Sequence, residues 1–255
     1  MRARLLFLAL CALLLAGCQS SGGEVSSQPE PAPVPKTPQE LLEEQTIDEY
    51  HDAFLVDTGG RMGTLLVTTE LDIRKKGEFE VSMNLSVWNP ADMSRPIQTR
   101  DWMTLDFGDN RVVDVNFDGY SDFICLYARG VQAEIFHCMR WDEEEGLFAE
   151  EPEFAKISSP GIDPETRTIY GWNRESGAGD GVTTFHQWED GELVCIRRIE
   201  VFQKNWRDYD SPYVVTVKDR IDGELREVYR TETQEYFDER FKWEDLDYHG
   251  ETENN

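Results

Sequence analysis

Positively charged side chains are scarce in this chain. Its 255 residues include 25 Lys and Arg against 51 Asp and Glu, which gives a formal net charge of −26. A surface this acidic repels the phosphates of nucleic acids and of anionic lipids, so we expect neither as a direct partner. Two interpretations of the charge stay open: a soluble surface that faces a salty exterior, or a surface that attracts cations and basic proteins.

Sequence signatures of familiar catalytic sites are also missing. The chain has no Gly-x-Ser-x-Gly elbow and no glycine loop of the kind that cradles phosphates. Its carboxylates are too numerous for two of them to be singled out as a glycosidase pair. The histidines lack zinc-type spacing to one another or to the cysteines; they are His51, His137, His186 and His249. A hydrolase is the least favoured alternative because no residue pattern supports one, and we expect a protein that is not an enzyme.

The apolar run at the N-terminus, Leu5 to Leu15, is too short to span a membrane. Two arginines precede it, and Leu15-Ala16-Gly17-Cys18 follows it as a lipobox. This pattern predicts a lipoprotein signal peptide over residues 1–17 and a lipid attached to Cys18; the alternative is an ordinary signal peptide with a chance cysteine. We expect an extracytoplasmic protein whose lipid anchors it to a bacterial membrane, either the cell membrane or an outer membrane.

Composition divides the remaining chain into four segments. Without residues 1–17 it keeps 23 basic and 51 acidic side chains, a net charge of −28. The first segment is rich in Pro, Ser, Gly and Glu and predicts an extended tether. From about residue 52 apolar and polar residues alternate, as in half-buried strands. We expect a lipidated tether over 18–38, a short helix over 39–51, an antiparallel β domain over 52–231 and an acidic C-terminal segment over 232–255.

Strand and turn patterns predict a mainly β fold. Five apolar residues alternate strictly with polar ones from Phe79 to Val87. Asp190-Gly191 and Asp222-Gly223 each separate two strand-like runs, which is a signal for a two-residue hairpin. Short strands with glycine-rich turns and no long periodic helix indicate an antiparallel β-sandwich or a barrel-like sheet.

The stretch from Asp114 to Asp122 has the spacing of a calcium loop. Oxygen-bearing side chains stand at loop positions 1, 3, 5 and 9, and Gly119 stands at position 6, where such loops turn most sharply. An EF-hand would need glutamate at position 12, where this chain has Cys125. An acidic hairpin loop without an ion is the alternative. The predicted ligands are the side chains of Asp114, Asn116 and Asp118, the backbone carbonyl of Tyr120, and Asp122 directly or through water.

Three cysteines lie within the predicted strands: Cys125, Cys138 and Cys195. An odd number leaves at least one without an internal disulfide partner. A disulfide is allowed outside the cytoplasm, and Cys125 with Cys138 is the favoured pair because their strands are neighbours in sequence. Three buried thiols are the alternative.

The stretch Arg174 to Gly181 combines small residues with two acidic ones between two predicted strands. One interpretation is a flexible hairpin loop. The other is a protruding loop that enters a partner's cleft, since loops displayed on a rigid scaffold often carry function. The candidate partner-binding residues are Arg174, Glu175, Ser176, Gly177 and Asp180.

Four stretches in order resemble a family of bacterial periplasmic lipoproteins, over roughly residues 60–205. They are Asp114–Asp122, Ile157–Ile169, the small-residue stretch 176–181 and Phe185–Leu193. The resemblance implies an antiparallel β-sandwich like that of the periplasmic inhibitors of invertebrate-type lysozyme. It also implies a bound calcium ion with the ligand set given above.

The characterised role in that family is immunity: members bind and block a cell-wall-cleaving effector that a bacterial-killing secretion system delivers. Lysozyme inhibitors of this fold use a Ser-Gly-x-x-Tyr loop, and the tyrosine is missing after Ser176-Gly177. Inhibition of lysozyme itself is therefore not implied. We expect an inhibitor or immunity protein against a basic cell-wall hydrolase. A calcium-stabilised surface binding or scaffold domain is the alternative.

Overall fold

The computed structural model describes residues 35–76, 80–174, 180–208, 210–234 and 244–246. The predicted signal peptide, Cys18 and most of the predicted tether lie outside these residues. Within them the chain forms one short helix, one 3₁₀ turn (Phe154–Lys156) and fourteen strands. Their bounds are α1 (Pro38–Glu43), β1 (His51–Asp57), β2 (Thr64–Lys76), β3 (Val81–Trp88), β4 (Gln98–Thr104), β5 (Arg111–Val113), β6 (Asp122–Arg129), β7 (Glu134–Asp142), β8 (Leu147–Glu150), β9 (Gly161–Asp163), β10 (Thr168–Asn173), β11 (Gly181–Glu189), β12 (Glu192–Gln203), β13 (Tyr213–Ile221) and β14 (Glu224–Thr233).

The strands form three antiparallel sheets. The first sheet has the order β1-β2-β3-β4, the middle sheet β5-β6-β7-β8, and the third sheet β14-β13-β12-β11-β10-β9. In each of the described sheets every neighbour is also a neighbour in sequence, so each sheet is a meander of consecutive antiparallel strands. The mainly β, antiparallel sandwich expected from the sequence is confirmed, and none of the described sheets closes into a barrel.

The middle sheet is buried on both faces. In β6, Phe123 and Cys125 belong to a core shared with the first sheet, whereas Ile124 and Leu126 belong to a core shared with the third. Because successive strand residues point to opposite faces, a strand between two layers needs an unbroken apolar run. Burial of each such side chain stabilises the fold by about 1.5–3 kcal/mol.

The two predicted Asp-Gly hairpins are confirmed. Asp190-Gly191 joins β11 to β12 with φ values of 51° and 85°, and Asp222-Gly223 joins β13 to β14 with 51° and 84°. Positive φ at both central residues is typical of the type I′ turn, which matches the right-handed twist of paired strands.

The helix predicted over 39–51 is shorter than expected. It starts after Thr37, whose hydroxyl accepts a hydrogen bond from the Glu40 N–H at 3.2 Å, and it ends at Glu43. Leu41 is its one buried residue. So narrow an apolar face does not sustain a longer helix, and the chain enters β1 at His51. No helix among the described residues is long and apolar enough to cross a membrane.

Candidate functional site

The predicted calcium loop connects β5 to β6 at one end of the middle sheet. Gly119 has a φ of +94°, a conformation that residues with a Cβ rarely adopt, and this explains glycine at loop position 6. Phe117 also has a positive φ, 59°. Its carbonyl accepts a hydrogen bond from the Arg167 guanidinium at 3.0 Å, which ties the loop to the β9–β10 turn.

Three of the predicted ligand side chains turn toward the backbone of their own loop. Asp114 accepts hydrogen bonds from the N–H groups of Gly119 (2.9 Å) and Asp118 (3.2 Å). Asn116 accepts from the Asp118 N–H at 3.3 Å, and Asp118 accepts from the Tyr120 N–H at 2.9 Å. The bonds gather two carboxylates and one amide oxygen in one short loop. Oxygen donors of this kind suit a hard cation.

Asp122 has a different role from its neighbours. It is fully buried, and its two oxygens accept the backbone N–H groups of Val115 at 2.8 Å and Trp141 at 2.7 Å. Burial raises the pKa of this carboxyl to about 7; the two backbone N–H donors oppose the rise, and the charges of Asp118 and Asp114 add to it. In the structure Asp122 therefore fastens the end of the loop to β7.

The loop fits a calcium ion in part. Among the described residues, no group of three or more His, Cys, Asp or Glu side chains is arranged to hold a metal ion. With both oxygens of Asp122 bonded to the backbone, the side-chain donors that face the loop are those of Asp114, Asn116 and Asp118. The Tyr120 ring packs against the core of the first and middle sheets. An ion here would need further oxygens from the backbone and from water.

The disulfide favoured between Cys125 and Cys138 does not form, because both are free thiols. In the pairing of β6 with β7, Cys125 lies opposite His137 and Cys138 lies opposite Ile124. This offset of one residue sends the two thiols to the two different cores of the middle sheet. Burial raises the pKa of both thiols, so neither has the character of a nucleophile.

The predicted partner-binding loop joins β10 to β11. Glu175, Ser176 and Gly177 lie outside the described residues, whereas Arg174 and Asp180 flank them. The Arg174 N–H donates to the Gln132 carbonyl at 3.3 Å. Asp180 is only 8% exposed and accepts the Gln203 N–H at 2.7 Å. In the structure its carboxylate holds the β10–β11 connection to the end of β12, and a contact of Asp180 with a partner stays a prediction.

The structure also reveals two exposed apolar side chains that the sequence analysis did not select. Val131, between β6 and β7, is 98% exposed, and Trp206, between β12 and β13, is 71% exposed. A sequence signal existed for Trp206, because it stands among Asn, Asp, Ser and Pro residues that are typical of a turn rather than a core strand. The same applies to Val131, which follows Gly130 in a short hairpin connection.

Comparison with known proteins adds one likeness in structure. No known family matches this chain, and no curated protein matches it. Among solved structures, a Xanthomonas type IV secretion system related protein is similar to it with a TM-score of 0.47 and 12% sequence identity. The match covers 69% of this chain and 93% of that one.

Proposed function

We propose that this protein is a lipid-anchored, extracytoplasmic binding protein that inhibits a peptidoglycan-degrading enzyme, or confers immunity to one, and that it is not itself an enzyme. The observation that carries the proposal is the rigid base of the β10–β11 connection, formed by its two described flanks. The β10–β11 connection is fixed at one side through Arg174 and at the other through Asp180, at the end of a three-sheet stack. Such a scaffold presents a loop to a partner at low entropic cost.

Charge supports the same proposal. With a formal net charge of −26, the protein attracts basic proteins and repels acidic ones. Cell-wall hydrolases that act on an acidic polymer are often basic. Electrostatic attraction of this kind raises the association rate more than the final affinity. A lipid on Cys18 would hold the binding domain in the compartment where such enzymes act.

The inhibition is tested with the full chain purified in detergent. Purified muramidases and amidases are assayed by the loss of turbidity of isolated cell walls, with and without a molar excess of the protein. We expect at least one basic enzyme to be slowed, and added salt to weaken the complex mainly by slowing association. If every enzyme keeps its rate, the inhibitor proposal is wrong and a surface binding or scaffold role takes its place.

We also propose that calcium binds the loop of Asp114, Asn116 and Asp118 and stabilises the fold. An ion that binds only the folded state raises the melting temperature in proportion to the logarithm of its concentration over its dissociation constant. The donor set in the loop supports this proposal, since two carboxylates crowded together repel each other without a cation.

The calcium proposal is tested by thermal melts in chelator and in excess calcium. Asp118→Ala should abolish the calcium-dependent rise. Asp142→Ala is a matched control, because Asp142 likewise accepts backbone N–H bonds within a turn, two of them at 3.0 Å between β7 and β8, where Asp118 accepts one. The rise itself is compared, not the melting temperature, because each substitution also removes turn hydrogen bonds. Identical melts of the parent in chelator and in calcium would reject the site.

A further inference from the structure

Three strand connections meet at one end of the molecule. They are the β6–β7 connection (residues 130–133), the two flanks of the β10–β11 connection, and the β12–β13 connection (residues 204–212). The Arg174 N–H donates to the Gln132 carbonyl at 3.3 Å and joins the first two. The Gln203 N–H donates to Asp180 at 2.7 Å and joins the last two. The candidate calcium loop lies at the other end of β6, away from these three connections.

This end carries the two most exposed large apolar side chains among the described residues. Val131 is 98% exposed and Trp206 is 71% exposed. Single exposed aliphatic residues are common on protein surfaces. An exposed tryptophan with a second exposed apolar residue at the same end is typical of a binding surface, since tryptophan is enriched among the residues that dominate interface energetics.

The loop that presents Trp206 is held in place from within. The Lys204 N–H donates to the Pro212 carbonyl at 2.8 Å, which closes the loop at its base. The hydroxyl of Ser211, a residue only 7% exposed, accepts the Asn205 N–H at 3.0 Å. The Arg207 guanidinium lies 4.9 Å from the centre of the Trp206 ring. A ring ordered before binding loses little entropy when a partner closes on it.

The base of the β6–β7 connection, which carries Val131, is also rigid. Arg129, the last residue of β6, contacts Asp109 at 2.8 Å and Glu134 at 2.7 Å. Arg111 contacts the same two carboxylates, at 2.8 Å and 3.4 Å. Several partly exposed charges in one network hold a geometry better than an isolated pair does. Val131 therefore projects from a fixed hairpin.

We propose that this end, the Val131–Trp206 surface, is the docking surface for a basic protein, and that the Trp206 side chain fills an apolar pocket in that partner. The choice of a protein over a membrane follows from charge. Asp208 and Asp210 follow Trp206 in the same loop. The two basic residues of that loop are already engaged, Lys204 with Glu232 and Arg207 with the ring. The chain as a whole is strongly acidic. This net negative charge opposes insertion among lipid phosphates and complements a basic protein surface.

The proposed inhibitor function supplies the kind of partner, a basic cell-wall hydrolase, so this inference rests on that function for the partner's identity. Exposed side chains on strand connections can enter a concave partner surface such as an enzyme cleft. The surface differs from the predicted partner-binding residues, because Val131 and Trp206 belong to the connections on either side of the β10–β11 loop.

The test measures binding and inhibition separately. The full chain in detergent is titrated against each purified muramidase and amidase, and cell-wall cleavage is followed in parallel. Trp206→Ala should weaken the complex by about 30-fold or more, as for a residue that dominates an interface. Val131→Asp should weaken it as well. Ile221→Ala is the matched control, since Ile221 is 41% exposed at the β13–β14 turn at the opposite end of the third sheet.

Each outcome decides between the two claims. If Trp206→Ala weakens binding and inhibition together, the docking surface and the inhibitor function are both supported. Inhibition that survives Trp206→Ala and Val131→Asp overturns the docking surface and leaves the inhibitor function standing. Binding through Trp206 without slowed cleavage supports the surface and rejects the inhibitor. If no enzyme binds, both are wrong.

A vesicle arm completes the design. A blue shift of the Trp206 emission with phosphatidylcholine vesicles, absent in Trp206→Phe, would assign the ring to a membrane and overturn the proposal. Melting temperatures of all variants in calcium should match that of the parent, because the substituted side chains are exposed.

Discussion

Gly171 offers a sharp test of how the third sheet packs on its neighbours. It lies in β10 at the centre of the stretch where residues 157–158 cross that strand. A Cβ at this position would stand 2.6 Å from the Ile157 side chain, 2.9 Å from the Thr184 hydroxyl and 3.0 Å from the Ser158 carbonyl oxygen. Ile157 is buried in the core between the middle and third sheets, and the Ser158 carbonyl accepts the Trp172 N–H at 2.7 Å.

The cost of Gly171→Ala follows from these distances. Overpacking of a filled core costs about 1–3 kcal/mol. Replacing glycine by alanine also restricts the unfolded chain, which by itself stabilises the folded protein by about 0.4–1 kcal/mol. We therefore expect a net loss of about 1–2 kcal/mol in the free energy of unfolding, or roughly 2–8 °C in melting temperature for a domain of this size.

Gly130→Ala provides the matched control. A Cβ there would lie 3.5 Å from the Ala133 carbonyl oxygen, which is an ordinary contact. The same chemical change should therefore be neutral or stabilise by up to about 1 kcal/mol. In an Ile157→Ala background, where the nearest clashing group is gone, Gly171→Ala should cost less than it does in the parent.

The measurement is urea unfolding followed by circular dichroism, in excess calcium, with the slope of each transition checked against the parent. A Gly171→Ala variant as stable as the parent would show that residues 157–158 are not seated on β10. If Gly171→Ala and Gly130→Ala lower the free energy of unfolding equally, the effect comes from the loss of glycine itself and not from the clash, which would also refute the reasoning.

Three further predictions concern buried polar groups. Burial holds the pKa of His186 below its ordinary value of 6.5. The unfolded chain therefore takes up this proton first as pH falls, and the stability that His186 contributes should be lost below about pH 6.5. Urea unfolding between pH 7.5 and 5 should show that the difference in free energy of unfolding between the parent and His186→Gln changes with pH. A constant difference would contradict this. Cys125 and Cys138 should react with a thiol reagent only in denaturant, and a reducing agent should leave the melting temperature unchanged; a lower melting temperature on reduction would indicate a disulfide. Asp180→Ala should lower the free energy of unfolding by about 1–3 kcal/mol, because it leaves a backbone N–H of Gln203 without this acceptor. A variant as stable as the parent would show that the carboxylate of Asp180 does not hold the end of β12.

Local patterns in the sequence predicted much of the architecture. The Asp-Gly pairs specify their turns by themselves, since aspartate tolerates positive φ and glycine adopts it freely. The strand predicted from the alternation after Phe79 corresponds to β3, Val81–Trp88; Phe79 itself lies outside the described residues. The short strands β8 and β9 were not predicted, because three or four residues carry too little periodicity to be recognised.

The candidate site shows where such patterns stop being informative. Asp122 and Asp180 both stand in acidic, glycine-containing stretches, and from the sequence one reads as a metal ligand and the other as a partner contact. In the structure each is buried and accepts a backbone N–H, from Trp141 nineteen residues away and from Gln203 twenty-three residues away. The spacing within a loop cannot show this, because the acceptor role depends on strands that arrive from elsewhere in the chain.

The sequence by itself therefore determined the strand-rich character of the chain, its hairpin turns and its acidic charge, since each depends on neighbouring residues or on simple composition. Only the tertiary structure decided that the middle sheet is covered on both faces, that Cys125 and Cys138 face different cores, and that Val131 and Trp206 lie at the same end. Periodicity shows which side chains share a face of a strand. Which layer covers that face depends on contacts between residues far apart in sequence, and those contacts exist only once the sheets have stacked.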